Sequence, residues 1–301
     1  MKIAVCGGTG FIGSKLIRYL QSCGDELILV SRKSSGGTLD RVRTVSWDQL
    51  MEKKGSFEGL DGIVNLTGET INQRWSAAAK RRVLESRLEA AARLAELTEA
   101  LDEPPKAVVN GSAVGVYAPS ETAVYDETTG QLSAVDFLSG IVLEWERAAQ
   151  SIRCGRLVLL RTGVVLAGDG GALPLMALPF KLGAGGKVGS GRQWMSWIHA
   201  DDIVRLIRHC IENAEVQGPV NATAPNPVTN ETFGRALAQT LRRPFLIPAP
   251  AFALRLVLGE MADMLLTGQN AVPVKALESG FAFRYPTVDK ALQAIYTRNL
   301  S

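Results

Sequence analysis

The chain has 301 residues, 46% of them hydrophobic and 21% charged; 33 Lys and Arg against 30 Asp and Glu leave a formal charge of +3. That composition excludes a disordered or fibrous chain and supplies ample apolar material for a core. At about 150 residues per domain, the length suits two domain-lengths, or one large α/β unit with an added lobe.

Both signs of charge are scattered, and no basic block of the kind that tracks phosphates appears, so a nucleic-acid partner is not expected. Lys80-Arg81-Arg82, the nearest candidate, is followed by Glu85 and Glu89 in a helical pattern and reads as a solvated face. Cys6, Cys23, Cys154 and Cys210 form no Cys-x-x-Cys pair, and His199 and His209 are the only histidines. A reducing compartment and no metal follow from that usage. Apolar runs are broken well before the ~20 residues of a membrane span, and the start at Lys2-Ile3-Ala4-Val5 is strand-like with no leader pattern. The expectation is a soluble cytoplasmic protein with no membrane partner.

In chain order, short apolar runs predict strands at Lys2–Cys6, Glu26–Val30, Arg43–Ser46, Gly62–Leu66, Ala107–Asn110 and Leu157–Arg161. Helical spacing predicts helices at Phe11–Ser22, Ser76–Leu101 and Phe137–Arg153 between them. Such alternation argues for βαβ units with right-handed crossovers on a parallel sheet. After Arg161, glycines crowd a loop-rich stretch interrupted by the apolar Leu173–Leu182. A helix over Ile203–Glu212 follows, with an Asp of Asp201-Asp202 as its N-cap. Prolines then separate short helices such as Thr232–Leu241 and Phe252–Met264. The predicted fold class is α/β: a Rossmann-type doubly wound parallel sheet with a smaller α-rich C-terminal lobe. The division expected is 1–166 for the nucleotide-binding domain, with 199–221 returning to it, and 167–198 plus 222–301 for the smaller lobe.

Gly7-Gly8-Thr9-Gly10-Phe11-Ile12-Gly13 is a G-x-x-G-x-x-G run between the first strand and the first helix. Gly7 and Gly10 permit a tight turn and close approach of a pyrophosphate, and Gly13 lets the helix pack on the strand while its free N–H groups face the phosphates. Gly7, Thr9, Gly10, Phe11, Ile12 and Gly13 are therefore candidate cofactor contacts. A strand preparing for NAD ends in Asp or Glu, which accepts hydrogen bonds from the ribose 2′-OH. Here the second strand ends in Ser31-Arg32-Lys33, and no acid appears until Asp40. A guanidinium suits a 2′-phosphate where a carboxylate would repel it. NADP(H) is the predicted cofactor, and Arg32 and Lys33 as exposed loop charges are the plainer alternative.

With those residues in place, the chain resembles the extended short-chain dehydrogenase/reductases of the nucleotide-sugar epimerase type, and more narrowly the atypical "epimerase family protein" subgroup with its own C-terminal domain. Matching stretches span nearly the whole chain, among them Asn65-Leu66-Thr67-Gly68-Glu69, Arg74-Trp75, Leu84-Glu85-Ser86-Arg87, Ser112-Ala113-Val114-Gly115-Val116-Tyr117, Leu160-Arg161-Thr162-Gly163, Gly189-Ser190-Gly191-Arg192-Gln193-Trp194, His199-Ala200-Asp201-Asp202 and Asn221-Ala222-Thr223-Ala224-Pro225. The resemblance implies that Leu66, Thr67 and Gly68, with Glu69 beside them, run along the adenosine and phosphates. It places Arg87 toward the cofactor, Arg82 loosely on the same side, and Val165 near the nicotinamide. For Arg87, a surface charge paired with Glu85 or Glu89 is an equal reading.

The resemblance also implies a catalytic Tyr with Lys four residues later, in which the Lys lowers the phenol pKa for proton exchange during hydride transfer. The expected region, Asp136 to Trp145, contains neither, and no Tyr of the chain has Lys at i+4. Three readings stand. The chain is a reductase or epimerase acting on a small carbonyl or nucleotide-linked substrate with other groups, for which Ser112, Tyr117 and His199 are the catalytic candidates, Glu69 a further polar one, and Arg192 with Trp194 a substrate clamp. Alternatively it is a non-catalytic NADPH sensor or scaffold, or a protein-interaction module. Tyr117 also reads as packing on cofactor or substrate, and His199 as a buried structural histidine. Gly168–Gly191 is a candidate lid over a substrate-sized cleft.

Overall fold

The computed structural model describes residues 1–32, 42–130 and 132–297; the candidate contact Lys33 lies outside them. The chain opens with β1 (Lys2–Cys6), α1 (Phe11–Ser22), β2 (Glu26–Ser31), β3 (Val42–Ser46), β4 (Gly62–Asn65), α2 (Ala77–Glu99), β5 (Ala107–Ala113), β6 (Val124–Tyr125) and α3 (Phe137–Ala149). Gly13, Leu16 and Leu20 form the buried stripe of α1 at three- and four-residue spacing. Ser76 caps α2 by accepting the Ala79 N–H at 3.2 Å, and Asp136 caps α3 by accepting the Ser139 N–H at 2.8 Å.

There follow β7 (Arg156–Thr162), β8 (Val164–Ala167), β9 (Gly170–Gly171), α4 (Leu173–Lys181), β10 (Trp194–Met195), β11 (Trp197–His199), α5 (Ala200–Glu212) and β12 (Gly218–Ala222). One seven-stranded sheet runs in the order β12-β7-β5-β4-β1-β2-β3, and every adjacent pair is parallel. α1 and α5 cover one face and α2 and α3 the other. The strand order reverses between β1 and β4, the place where an open α/β sheet offers a crevice at its C-terminal edge. This is the doubly wound Rossmann-type sheet that the alternating pattern predicts.

The rest comprises β13 (Val228–Thr229), α6 (Asn230–Leu241), α7 (Ala251–Leu258), α8 (Asp263–Leu266), β14 (Asn270–Ala271), α9 (Val274–Glu278) and α10 (Val288–Thr297). Helices α4, α6 and α10 build a second core around Leu173, Phe180, Trp197, Phe233, Leu237 and Leu292. Asp202, fully buried on α5, accepts from the N–H groups of Arg284 and Tyr285 at 2.9 Å each, which staples this helical part to the sheet domain.

Three elements differ from the sequence reading. Helix α5 starts at Ala200, three residues before the predicted Ile203, and its cap is His199 in place of an Asp. The His199 Nδ1 accepts the Asp201 N–H at 3.0 Å, which frees both aspartates to sit in the first turn, where the helix dipole favours them. The predicted helix Phe252–Met264 is broken into α7, a tight turn at Gly259–Ala262 and α8, because Gly259 takes φ +60° and ends the first piece. Strand β12, with sequence Gly-Pro-Val-Asn-Ala, escapes an apolar-run criterion; its Pro219 is tolerated because the strand sits at the sheet edge. Arg161, the penultimate residue of β7, is buried between Ser112 of β5 and Asn221 of β12.

Its charge is answered within reach. Arg161 donates to both carboxylate oxygens of Glu146 on α3 at 2.9 Å each and to the Tyr117 hydroxyl at 3.0 Å. The Tyr117 hydroxyl lies 2.9 Å from Asn221 Oδ1 on β12, and Asn221 Nδ2 donates to the Val272 carbonyl at 2.9 Å. Ser112 on β5 donates to Glu146 at 2.6 Å. One buried network thus joins two central strands, α3, the edge strand and the segment after β14. Removing one partner of such a pair costs about 3–5 kcal/mol, whereas replacing both by apolar groups is near neutral. Arg161→Leu should therefore lose about that much stability in urea unfolding, and Glu146→Leu/Arg161→Leu should regain most of it. A single variant within about 1 kcal/mol of the parent would show that the network does not hold the fold.

Candidate functional site

The C-terminal edge of the sheet gathers most of the sequence's candidate residues. Gly7 follows β1 at φ +78°, and a Cβ there would lie 2.8 Å from the Leu66 backbone. A Cβ on Gly13 would stand 2.3 Å from the Gly7 carbonyl oxygen, so the first turn of α1 nests directly on the loop. The Gly10 N–H donates to that same oxygen at 3.0 Å and closes the turn. Gly10 is the N-cap of α1 and brings no side chain, and the first turn holds no acid. The helix thus presents its N-terminal N–H groups and positive dipole end without a side-chain acceptor, which is the arrangement that binds phosphate. Thr9 is exposed at the tip, Ile12 packs half-buried on the main core, and the Phe11 ring lies against Gly170 and Gly171, where a Cβ would come within 2.8 Å of it.

Beside this cradle, Leu66, Thr67 and Gly68 leave the end of β4. Gly68 has no room for a side chain, since its Cβ would lie 2.8 Å from the Arg87 guanidinium carbon. Arg87 is mostly buried; it donates to the Glu69 and Val83 carbonyls at 3.1 and 2.7 Å and stacks over the Trp145 ring at 4.8 Å. Burial lowers its pKa to about 10, partly offset by Glu69, so it stays protonated at neutral pH. Neither Glu85 nor Glu89 pairs with it: those carboxylates belong to Arg81 and Arg93. Arg82 bonds the Glu69 carboxylate at 3.1 Å. Hydrogen bonds from Gln73 and Arg82, helped by the charges of Arg82 and of Arg32, hold the Glu69 carboxyl below its ordinary value. Ser31 ends β2 and exposed Arg32 follows it, so Arg32 faces the same corner as Glu69. Thr67 Oγ1, Arg87 Nε and Trp145 Nε1 are buried here without a hydrogen-bond partner among the described residues.

The three catalytic candidates are placed differently. Ser112 and Tyr117 belong to the buried Arg161–Glu146 network. Burial pushes the Tyr117 phenol above its ordinary value, while Arg161 and Asn221 pull the other way. His199 is buried as the α5 cap, its ring 3.9 Å from that of Tyr285. Val165 lies on β8, in the small β11-β8-β9 sheet, and is buried. Arg192 and Trp194 both reach Glu121, the first by an ion pair at 3.0 Å, the second by donating its indole N–H to the carbonyl at 2.9 Å. Cavities of about 540 Å³ beside α3 and about 310 Å³ between α1 and α5 open elsewhere and include neither the cradle nor the Leu66–Gly68 turn.

Gln73 and Glu146 escaped the sequence reading. A charge inside an apolar strand, Arg161, is the signal that a buried acid must exist; nothing in the local pattern points to Gln73.

The fold has known counterparts. The family described as NAD dependent epimerase/dehydratase matches residues 3–222, and a domain of unknown function matches 249–295. Epimerase family protein YfhF of Bacillus subtilis is 39% identical over 298 residues, covering 98% of each chain. The crystal structure of human epimerase family protein SDR39U1 (isoform 2) with NADPH superposes with a TM-score of 0.90 at 39% identity, covering 99% of each chain. UDP-glucose 4-epimerase of Thermotoga maritima, solved with UDP-glucose, shares the fold at a TM-score of 0.76 and 17% identity, covering 100% of each chain. No helix among the described residues is long and apolar enough to cross a membrane. From the match over residues 3–222 and the 39% identity along almost its whole length, the chain belongs to the NAD dependent epimerase/dehydratase family.

Proposed function

We propose that the chain binds NADP(H) along the C-terminal edge of the sheet and acts as an epimerase-like oxidoreductase on a small carbonyl or nucleotide-linked compound. The uncapped, acid-free N-terminus of α1 above the glycine cradle carries this reading. Gly7, Thr9, Gly10, Phe11, Ile12 and Gly13 would hold the pyrophosphate, Leu66–Gly68 the adenosine side, and Val165 the nicotinamide side. Ser31 and Arg32 would face the ribose 2′-phosphate, with the Glu69 carboxylate already occupied by Arg82 and Gln73 and so less repulsive to it. The NADPH held by the human relative supports the same choice. When bound, the nicotinamide supplies or accepts a hydride. The chain's own part is to place that ring and to keep water from it.

A second reading, a cofactor-binding sensor or scaffold without turnover, is favoured by one observation. Ser112 and Tyr117 donate into a buried ion-pair network, and His199 spends one ring nitrogen on a helix cap, so the candidate proton carriers already hold structural bonds. Consumption of NADPH with a panel of carbonyl and nucleotide-sugar compounds separates the two readings: steady turnover supports the enzyme, and tight binding with none supports the sensor.

Two outcomes are expected for binding itself. In a fluorescence titration NADPH should bind at least ~10-fold more tightly than NADH, and Arg32→Asp should abolish that difference, because a charge-assisted bidentate contact is worth about 1.5–3 kcal/mol. Equal affinities in the parent chain would refute the 2′-phosphate assignment. Gly13→Ala should weaken both nucleotides by an order of magnitude or more, since its Cβ would meet the Gly7 carbonyl at 2.3 Å and force the loop off the helix. Unchanged affinity in that variant would place the pyrophosphate somewhere else.

A further inference from the structure

The cavity of about 310 Å³ between α1 and α5 shares no lining residue with the glycine cradle; Lys15, Arg18, Tyr19, Asp201, Arg205 and Arg284 form most of its wall. Its charge is lopsided. Basic and acidic residues are nearly balanced over the chain, at 33 to 30, whereas this wall carries four cations against one carboxylate. The cations come from three separate parts of the chain: two from α1, one from α5 and one from the segment after α9. Like charges that the fold brings together repel one another unless an opposite charge lies between them. A cleft lined by one sign concentrates ligands of the other.

Two of the four cations are fixed in the wall. The Lys15 ammonium bonds both carboxylate oxygens of Asp169 and lies over the Phe11 ring at 5.3 Å, and its side chain is only 16% exposed. Arg205 donates to Asp202 at 2.8 Å and stacks over the Phe281 ring at 5.1 Å, with its side chain 19% exposed. That contact uses one of the five donors of a guanidinium. The same Asp202 oxygen accepts the Arg284 backbone N–H at 2.9 Å, so one buried carboxylate sets the place of both arginines. Arg18 and Arg284 are exposed, and their side chains make no hydrogen bond or ion pair among the described residues. The one acid of the wall, Asp201, is turned to His199, with its carboxylate 3.8 Å from Nδ1.

We propose that this cavity is a second anion site, separate from the glycine cradle, which binds a phosphate group as the free ion or as the ester of a small hydroxylated compound. Guanidinium forks match phosphate oxygens bidentately, and here they approach from α1, α5 and the segment after α9. The volume stands at the low end of the roughly 300–1,000 Å³ of ligand pockets, which suits a sugar phosphate and is too small for a dinucleotide. Asp201 repels a bare anion on its side of the wall but accepts a hydroxyl, so an ester uses more of the wall than the ion does. The site also has a place in the architecture. Lys15 and Arg18 lie on the helix that caps the cradle, and Arg284 precedes Tyr285 in the staple that Asp202 makes to the helical part. A phosphate held by all of them ties the cradle's helix to the smaller lobe.

The test is isothermal titration calorimetry of the full chain with glucose 6-phosphate and, separately, with inorganic phosphate, each with and without saturating NADPH. Binding should appear and should persist with NADPH present, because the two sites share no residue. Arg18→Ala and Arg284→Ala should each weaken it by ~10-fold or more, keep the parent's affinity for NADPH, and melt like the parent because both side chains are exposed. If one variant fails to fold, the other decides. An ester bound several-fold more tightly than the ion assigns the site to phosphorylated compounds, and equal affinities assign it to the ion; either result supports the site. No binding of either probe, binding lost once NADPH is present, or binding unchanged in both arginine variants would each overturn the proposal.

Discussion

Arg161 sits where a charge is most expensive, inside a parallel sheet covered on both faces, and the molecule is organised around answering it. A guanidinium at that depth is tolerable only with an acid in bidentate reach, and Glu146 on α3 provides one at 2.9 Å on two oxygens. The consequences spread outward. Glu146 fixes the rotation of α3 against β5, because Ser112 bonds the same carboxylate. Arg161 orients Tyr117, whose hydroxyl reaches Asn221 on the edge strand, and Asn221 in turn holds the chain at Val272. Glu127 extends the set by accepting from the Asn221 and Lys275 N–H groups. The Arg161 network and the Asp202 contacts to Arg284 and Tyr285 together join the smaller lobe to the sheet.

That edge is electropositive for several separate reasons. The N-terminus of α1 contributes a partial charge without an acid to quench it, Arg32 stands at the end of β2, and Arg82 neutralises Glu69. Arg87 lies behind the Leu66–Gly68 turn, held by backbone carbonyls with no carboxylate at ion-pair distance among the described residues. Even with its pKa lowered to about 10 it stays charged, and a charge buried against neutral partners is felt strongly nearby. Such a surface favours an anion with several charges, which agrees with a pyrophosphate and an additional phosphate better than with a neutral sugar or a peptide.

The sheet, its order around β1 and the glycine loop were legible because each rests on a local rule: apolar runs for buried parallel strands, helical spacing for α1 and α2, and glycine where backbone meets backbone. What stayed hidden depends on contacts between distant residues. β12 is missing from the predicted strands, since Gly218, Pro219 and Asn221 interrupt any apolar run, and an open sheet edge makes it a strand. The cap of α5 is decided by the rotamer of His199, which composition does not encode. Arg82 was placed only loosely on the side of Arg87, and the turn after β4 curls Glu69 back to meet it. Ser112 and Tyr117 were read as candidate chemistry from their residue types, and only the structure supplies the ion pair that engages them.

The missing Tyr and Lys acquire a physical meaning in that light. α3 follows β5, as the helix bearing that pair would, and its inward positions are given to packing and charge balance. Trp145 lies over Gly111, where its ring would stand 2.8 Å from a Cβ, and stacks beneath Arg87; Glu146, next in sequence, is consumed by Arg161. A lysine among these positions would bring a third cation between two buried guanidinium groups, at a Coulomb cost that the single carboxylate of Glu146 could not offset. Where the resemblance implies a Tyr and a Lys, α3 of this chain carries the acid of a structural ion pair. If the proposed oxidoreductase reading holds, the acid or base of that reaction would have to come from a residue other than Trp145 and Glu146.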